Sequence, residues 1–126
     1  MSHGDAHSGY YDRIREHSTR ASDARDAFEP PADPPASEEA MSYLREGLGP
    51  LVALYLEART AEWDVEFSAA EHRLLDRALN DWLELYAACH GVEMDTDFPI
   101  RKAAELLIDT HNVRDVAQLL THVPER

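Results

Sequence analysis

Cysteine is almost absent from this chain, and so are long apolar runs. The single cysteine, Cys89, excludes an internal disulfide and fits a reducing compartment. The longest markedly apolar run covers residues 51–56, far fewer than the roughly 20 residues that a bilayer-spanning helix needs. The N-terminal residues lack the apolar segment of a signal peptide. We therefore expect a cytoplasmic protein that makes no contact with a membrane.

The sequence also lacks the short motifs that mark common enzyme sites. It contains no glycine-rich phosphate loop, no Gly-x-Ser-x-Gly turn, no His-Glu-x-x-His and no spaced cysteine pairs. One carboxylate, Glu57, falls within an apolar helical segment, where we expect partial burial and an ion pair with Arg45 or Arg59. Such a pair is structural, so we predict that the protein is not an enzyme and needs no cofactor.

Seven histidines raise the question of a metal site. His3 and His7 are four positions apart, but two histidines alone give weak and unselective binding. Cys89 and His90 are neighbours, and neighbours on a helix point about 100° apart, so they do not chelate together. We predict that Cys89 belongs to the core, that His90 favours the cationic form at a helix end, and that no metal is bound.

Basic residues, and lysine above all, are scarce. The chain has 25 acidic residues and 12 basic ones, of which only Lys102 is a lysine, and its formal net charge is −13. This composition resembles that of proteins from salt-accumulating halophiles, and the resemblance implies a salt-rich cytoplasm.

Residues 37–96 carry a net charge of −9, whereas residues 97–126 carry only −1. Since the Debye length is about 3 Å at 1 M salt, the charge disfavours nucleic acid only at ordinary ionic strength.

Apolar residues recur three and four positions apart along most of the chain, which predicts an all-α protein. We predict a small helical bundle of five to six helices over residues 37–126. An N-terminal segment, residues 1–36, is predicted to precede it as an amphipathic arm helix over 8–28 and a proline-rich spacer.

The predicted arm has a thin apolar stripe and needs a surface to pack against. That surface belongs either to its own assembly, which we favour, or to a different protein. The residues expected to anchor the arm are Tyr10, Tyr11, Ile14 and Phe28. We accordingly expect a protein–protein interaction or regulatory module that binds a protein partner or self-associates as a homo-oligomer.

Several local patterns predict where helices begin and end. The stretch Ser-Ala-Ala-Glu at 68–71 predicts a capping box that opens a helix over 69–89, and Gly91 predicts its left-handed end. Four further polar residues are expected to cap the other helices: Ser8, Ser37, Asp97 and Asn112.

Two stretches favour irregular structure. Gly-Leu-Gly-Pro at 47–50 should end a helix, yet the helical spacing of apolar residues continues through it. The pattern therefore predicts either two consecutive helices or one kinked helix. Alternating apolar residues at 62–67 and 92–94 favour a short two-strand pairing.

Residues 98–121 have the outline of a helix-turn-helix, which makes a DNA-binding transcriptional regulator the alternative function. The residues that would contact DNA are Arg101, Lys102, Arg114 and Gln118. The exposed side of the second helix is expected to show Arg114, Asp115, Gln118 and Thr121. Because that side offers one strong cation beside one acid, we prefer protein contact to DNA contact.

Overall fold

The computed structural model describes residues 8–61 and 65–124, and every regular element within them is a helix. The elements are α1 (Tyr11–Ala27), α2 (Ser37–Tyr43), a π-helical turn (Leu44–Leu48), α3 (Gly49–Arg59), α4 (Ala69–Cys89), α5 (Ile100–Thr110) and α6 (Val113–Thr121). The predicted all-α bundle is confirmed.

Helix α4 is the centre of the fold. It is 21 residues long, and it contacts all five of the other helices. The predicted capping box is present at its start: Ser68 accepts a hydrogen bond from the amide of Glu71, whose carboxylate accepts one from the amide of Ser68. The left-handed conformation predicted for Gly91 is also present, with φ at 83°.

The chain remains helical through Gly-Leu-Gly-Pro at 47–50. The interruption takes the form of the π-helical turn, in which the amide of Gly49 donates to the carbonyl of Leu44 five residues earlier. A wider turn of this kind accommodates Pro50, which has no amide hydrogen to donate. The apolar residues on both sides of the turn, such as Leu44, Leu48 and Leu51, therefore all reach the core.

Three of the four additional predicted caps are wrong, and only Asn112 caps its helix, by accepting from the amides of Arg114 and Asp115. Ser37 is the first residue of α2 rather than its cap, and Ser8 lies before Tyr10, the residue that precedes α1. Asp97 lies outside α5, because the amide of Ile100 donates to the carboxylate of Asp76 on α4 at 2.7 Å. A side chain from another helix thus takes the place of the local cap.

No strand is present in residues 65–67 or 92–94, so the predicted two-strand pairing is wrong there; residues 62–64 lie outside the described part of the chain. The segment after α4 satisfies its backbone through side chains of α4 instead. The amide of Thr96 donates to Glu84 at 2.8 Å, and the amide of Phe98 donates to Asn80 at 2.9 Å. These bonds hold the end of the segment against α4.

Candidate functional site

Helix α1, the predicted arm, packs mainly against α4 of its own chain. Ile14 is fully buried in the core, and Tyr10 and Phe28 are half-buried against it, so the structure brings three of the four predicted anchors to one surface. Tyr11, the fourth, is half-buried. The ring of Phe28 lies 6.4 Å from that of Tyr43. In this arrangement the apolar side of the arm packs against the core of its own chain.

A buried carboxylate fastens the start of the arm to α4. Glu71 is 0% exposed and accepts three hydrogen bonds, from the amide of Ser8 at 3.0 Å, the hydroxyl of Ser8 at 2.5 Å and the amide of Ser68 at 2.8 Å. Burial raises the pKa of Glu71, but the hydrogen bonds from Ser8 and Ser68 outweigh it, so the net shift of the pKa is downward. The sequence predicted the contact with Ser68 and missed the one with Ser8, because 63 residues separate the partners.

Ion pairs fix the outer side of the arm. Arg13 forms a two-pronged pair with Glu57 on α3, at 2.8 and 3.2 Å. This contact corrects the expectation for Glu57, whose side chain is 52% exposed and pairs with the arm rather than with Arg45 or Arg59. The hydrogen bond from Arg13 lowers the pKa of the Glu57 carboxyl. Arg25 pairs with Glu84 and, at 3.5 Å, with Asp81.

The residues predicted to contact DNA are spread along α5 and α6. Arg101 and Lys102 are exposed in the first turn of α5. Arg114 lies on α6, beyond the other end of α5, and the two ends of α5 are about 15 Å apart at a rise of about 1.5 Å per residue. Gln118 is half-buried and donates to the carbonyl of Pro124 at 3.2 Å. The structure therefore places two of these side chains at the start of α5 and the other two on α6.

One further residue of α6 departs from the sequence prediction. Thr121, expected on the exposed side, is buried, and its hydroxyl donates to the carbonyl of Ala117 at 2.7 Å. The outward side of α6 consequently holds fewer hydrogen-bond donors than the sequence predicted.

The same two helices expose apolar side chains that sequence reasoning missed. Ile108 on α5 is 55% exposed and Leu119 on α6 is 46% exposed. Helical spacing predicts burial for both, because Ile108 follows the buried Ala104 by four positions and Leu119 follows the buried Val116 by three. The only other large apolar side chain that is comparably exposed in the described residues is Val92, in the segment after α4.

A cavity of about 240 Å³ lies where α2, the end of α4 and α6 meet. Its lining residues are Ser37, Met41, Tyr86, His90, Arg114 and Pro124. The rings of Tyr86 and His90 are 5.0 Å apart, and the hydroxyl of Tyr86 donates to the carbonyl of Val123. Burial, and then the charge of Arg114, lowers the pKa of His90, which reverses the expectation of a cation there.

The thiol of Cys89 and the possible metal ligands are not arranged for chemistry in the described residues. Burial raises the pKa of Cys89 to about 11, which leaves the thiol protonated and a poor nucleophile. Within residues 8–61 and 65–124, no three His, Cys, Asp or Glu side chains converge as a metal ion would require. No helix in those ranges combines the length and the apolar character needed to cross a membrane.

Comparison with known proteins places this fold in one family. The family model that matches is described as "Domain of unknown function (DUF8055)", and the match covers residues 8–125, which include all six helices. No curated protein and no solved structure matches the chain. Because the match spans nearly the whole chain, this protein belongs to the DUF8055 family.

Proposed function

We propose that this protein is a non-enzymatic interaction module that self-associates through the outer face of α5 and α6. The observation that carries the proposal is the exposure of Ile108 and Leu119 on two consecutive helices. A contiguous apolar patch left in water is typical of a surface that becomes covered in an assembly, and α5 and α6, which carry these two side chains, pack side by side. We call these two side chains, with the helix surface around them, the α5–α6 face.

The charge distribution supports a second copy of the chain as the occupant of this face. Two copies each carry a net charge of −13 and repel one another at low salt. The repulsion is weakest where residues 97–126 approach each other, because that third carries only −1 against −9 for residues 37–96. The exposed apolar side chains therefore lie in the part of the chain where two copies approach at least electrostatic cost.

The docked arm supports self-association through α5 and α6 rather than through α1. Ile14 and Ala21 are already covered by the chain's own core, so capture of a partner by the arm would first require the arm to leave α4. Undocking would break the bonds of Ser8 to Glu71 and the pair of Arg13 with Glu57. The α5–α6 face requires no such rearrangement.

A salt-rich cytoplasm is the setting that we propose for this assembly. The acidic excess and the single lysine support it. In molar salt the Debye length is about 3 Å, so repulsion between copies is screened while apolar contact is retained. Assembly is therefore expected to strengthen as the potassium chloride concentration rises.

We expect the variant with both Ile108→Ser and Leu119→Ser to lose self-association. Serine removes the apolar surface without adding charge, and each buried aliphatic side chain contributes about 1.5 kcal/mol or more. Each side chain is already about half buried in the single chain, so assembly recovers about half of that energy. With two such residues on each of two copies, the dissociation constant should rise by about 100-fold or more. Analytical ultracentrifugation in molar potassium chloride measures this constant.

The matched control is Val92→Ser, which removes an apolar side chain of 39% exposure outside α5 and α6. It should leave the dissociation constant unchanged. Circular dichroism should show the parent helix content in both variants, since none of the three residues is buried. Equal dissociation constants for the double variant and the parent would exclude the α5–α6 face as the interface.

A further inference from the structure

The cavity between α2, α4 and α6 has an unusual lining for so acidic a protein. Among the residues that the structure describes, its lining includes one cation, Arg114, one imidazole, His90, and no acid. Glu38 and Glu39, which follow Ser37, line the adjoining open groove, and Asp115, which follows Arg114, lines neither the cavity nor the groove. The guanidinium of Arg114, with no carboxylate beside it in the described lining, favours an anion locally against the overall net charge of −13.

The donors in this cavity are available to a ligand. No salt bridge to Arg114 is formed by any residue in the described ranges, and no side-chain hydrogen bond of His90 is present there. Ser37 is exposed, and its hydroxyl does not cap α2. Tyr86 differs, because its hydroxyl donates to the carbonyl of Val123 at 2.8 Å.

The remainder of the lining is apolar. Met41 and Pro124 present aliphatic surface, and the ring of Tyr86 stands against that of His90. Ligand sites commonly combine such a wall with a few polar groups that fix orientation. The cavity volume of about 240 Å³ is below the roughly 300–1,000 Å³ of clefts that hold drug-sized ligands, so the ligand is smaller.

We propose that this cavity binds a small organic carboxylate, with its anionic group on Arg114 and His90 and its apolar body against Met41, Tyr86 and Pro124. The planar guanidinium of Arg114 suits two-pronged recognition of a carboxylate. Inorganic phosphate pairs with the guanidinium but leaves the apolar wall uncovered, whereas a neutral analogue covers the wall and leaves the guanidinium without an anion. This site is separate from self-association, since Ile108 and Leu119 do not line it.

A titration of the whole protein with sodium benzoate at moderate ionic strength tests the proposal. The NMR signals of the His90 imidazole report the binding. We expect saturable shifts with benzoate and at least tenfold weaker binding of benzamide, which has the same shape without the charge. Inorganic phosphate should also bind at least tenfold more weakly. Equal affinity for benzoate and benzamide, or for benzoate and phosphate, would overturn the proposal, as would shifts that never saturate.

The variant Arg114→Gln should weaken benzoate binding at least tenfold, because it removes the charge-assisted hydrogen bonds. Arg101→Gln is the matched control: it removes one exposed arginine outside the cavity and should leave the affinity unchanged. Equal losses in the two variants would show a general charge effect and contradict a specific site. The oligomer mass of Arg114→Gln should equal that of the parent, which separates this test from that of self-association.

Discussion

Replacing Gly47 by alanine is expected to destabilise the protein by about 3 kcal/mol, near the upper end for overpacking a core. A Cβ atom at this position would lie 2.5 Å from two carbons of the Trp82 indole and 2.7 Å from a third. The indole is rigid, buried and packed 5.9 Å from the ring of Tyr43, so it has little room to retreat. Urea denaturation measures the loss as a lower midpoint of unfolding.

Two further variants establish the cause of that loss. Gly9→Ala adds the same methyl group where no atom lies within 4 Å, so its midpoint should equal that of the parent. Trp82→Leu opens space beside Gly47, and it sacrifices no indole hydrogen bond to the described residues, since Nε1 has no partner among them. In the Trp82→Leu background, Gly47→Ala should therefore cost much less. An equal cost in both backgrounds would contradict the clash with Trp82.

Truncating Glu71 to alanine is expected to cost about 3 kcal/mol, because it removes the capping box and leaves the donors of Ser8 and Ser68 without their acceptor. Ser8→Ala should cost about 1 kcal/mol, since it removes the hydroxyl's bond to Glu71 and the longer bond that the hydroxyl accepts from the amide of Tyr10, and keeps the capping box. Glu105→Ala, at an exposed glutamate of α5, should change the free energy of unfolding by about 0.5 kcal/mol or less. A loss for Glu71→Ala no larger than that for Glu105→Ala would refute the role of Glu71.

The same carboxylate should make stability depend on pH. The pKa of Glu71 is lower in the folded protein than in the unfolded chain, so its charged form stabilises the fold above the unfolded pKa. That contribution is lost as the pH falls through the lower, folded value. The difference in unfolding free energy between the parent and Glu71→Gln should therefore be largest near neutrality and shrink in acid. A difference that stays constant from neutrality into acid would contradict the assignment.

Local pattern predicted the fold well where the partners are close in sequence. The capping box of Ser68 and Glu71, the left-handed Gly91 and the cap at Asn112 each depend on residues within three positions of one another. The caps that were wrong depend on distant partners. The amide of Ile100 is satisfied by Asp76, and Ser8 is held by Glu71, so the tertiary fold decides where these helices begin.

The candidate sites were harder to predict, because exposure depends on how helices pack. Ile108 and Leu119 are apolar like core residues and follow buried residues at helical spacing, so only the packing of the helices leaves them exposed. The cavity gathers Ser37, His90 and Arg114 from three elements that are far apart in sequence. No spacing pattern connects these three residues, so sequence reasoning treated them separately.

Light scattering on the purified protein in molar potassium chloride, with and without genomic DNA fragments, tests the central proposal most directly. We predict a mass of at least twice the 14.2 kDa of one chain, unchanged by DNA. A monomer at every concentration would contradict self-association through the α5–α6 face. Co-migration with DNA that survives high salt would instead support the alternative function, in which Arg101, Lys102, Arg114 and Gln118 contact nucleic acid.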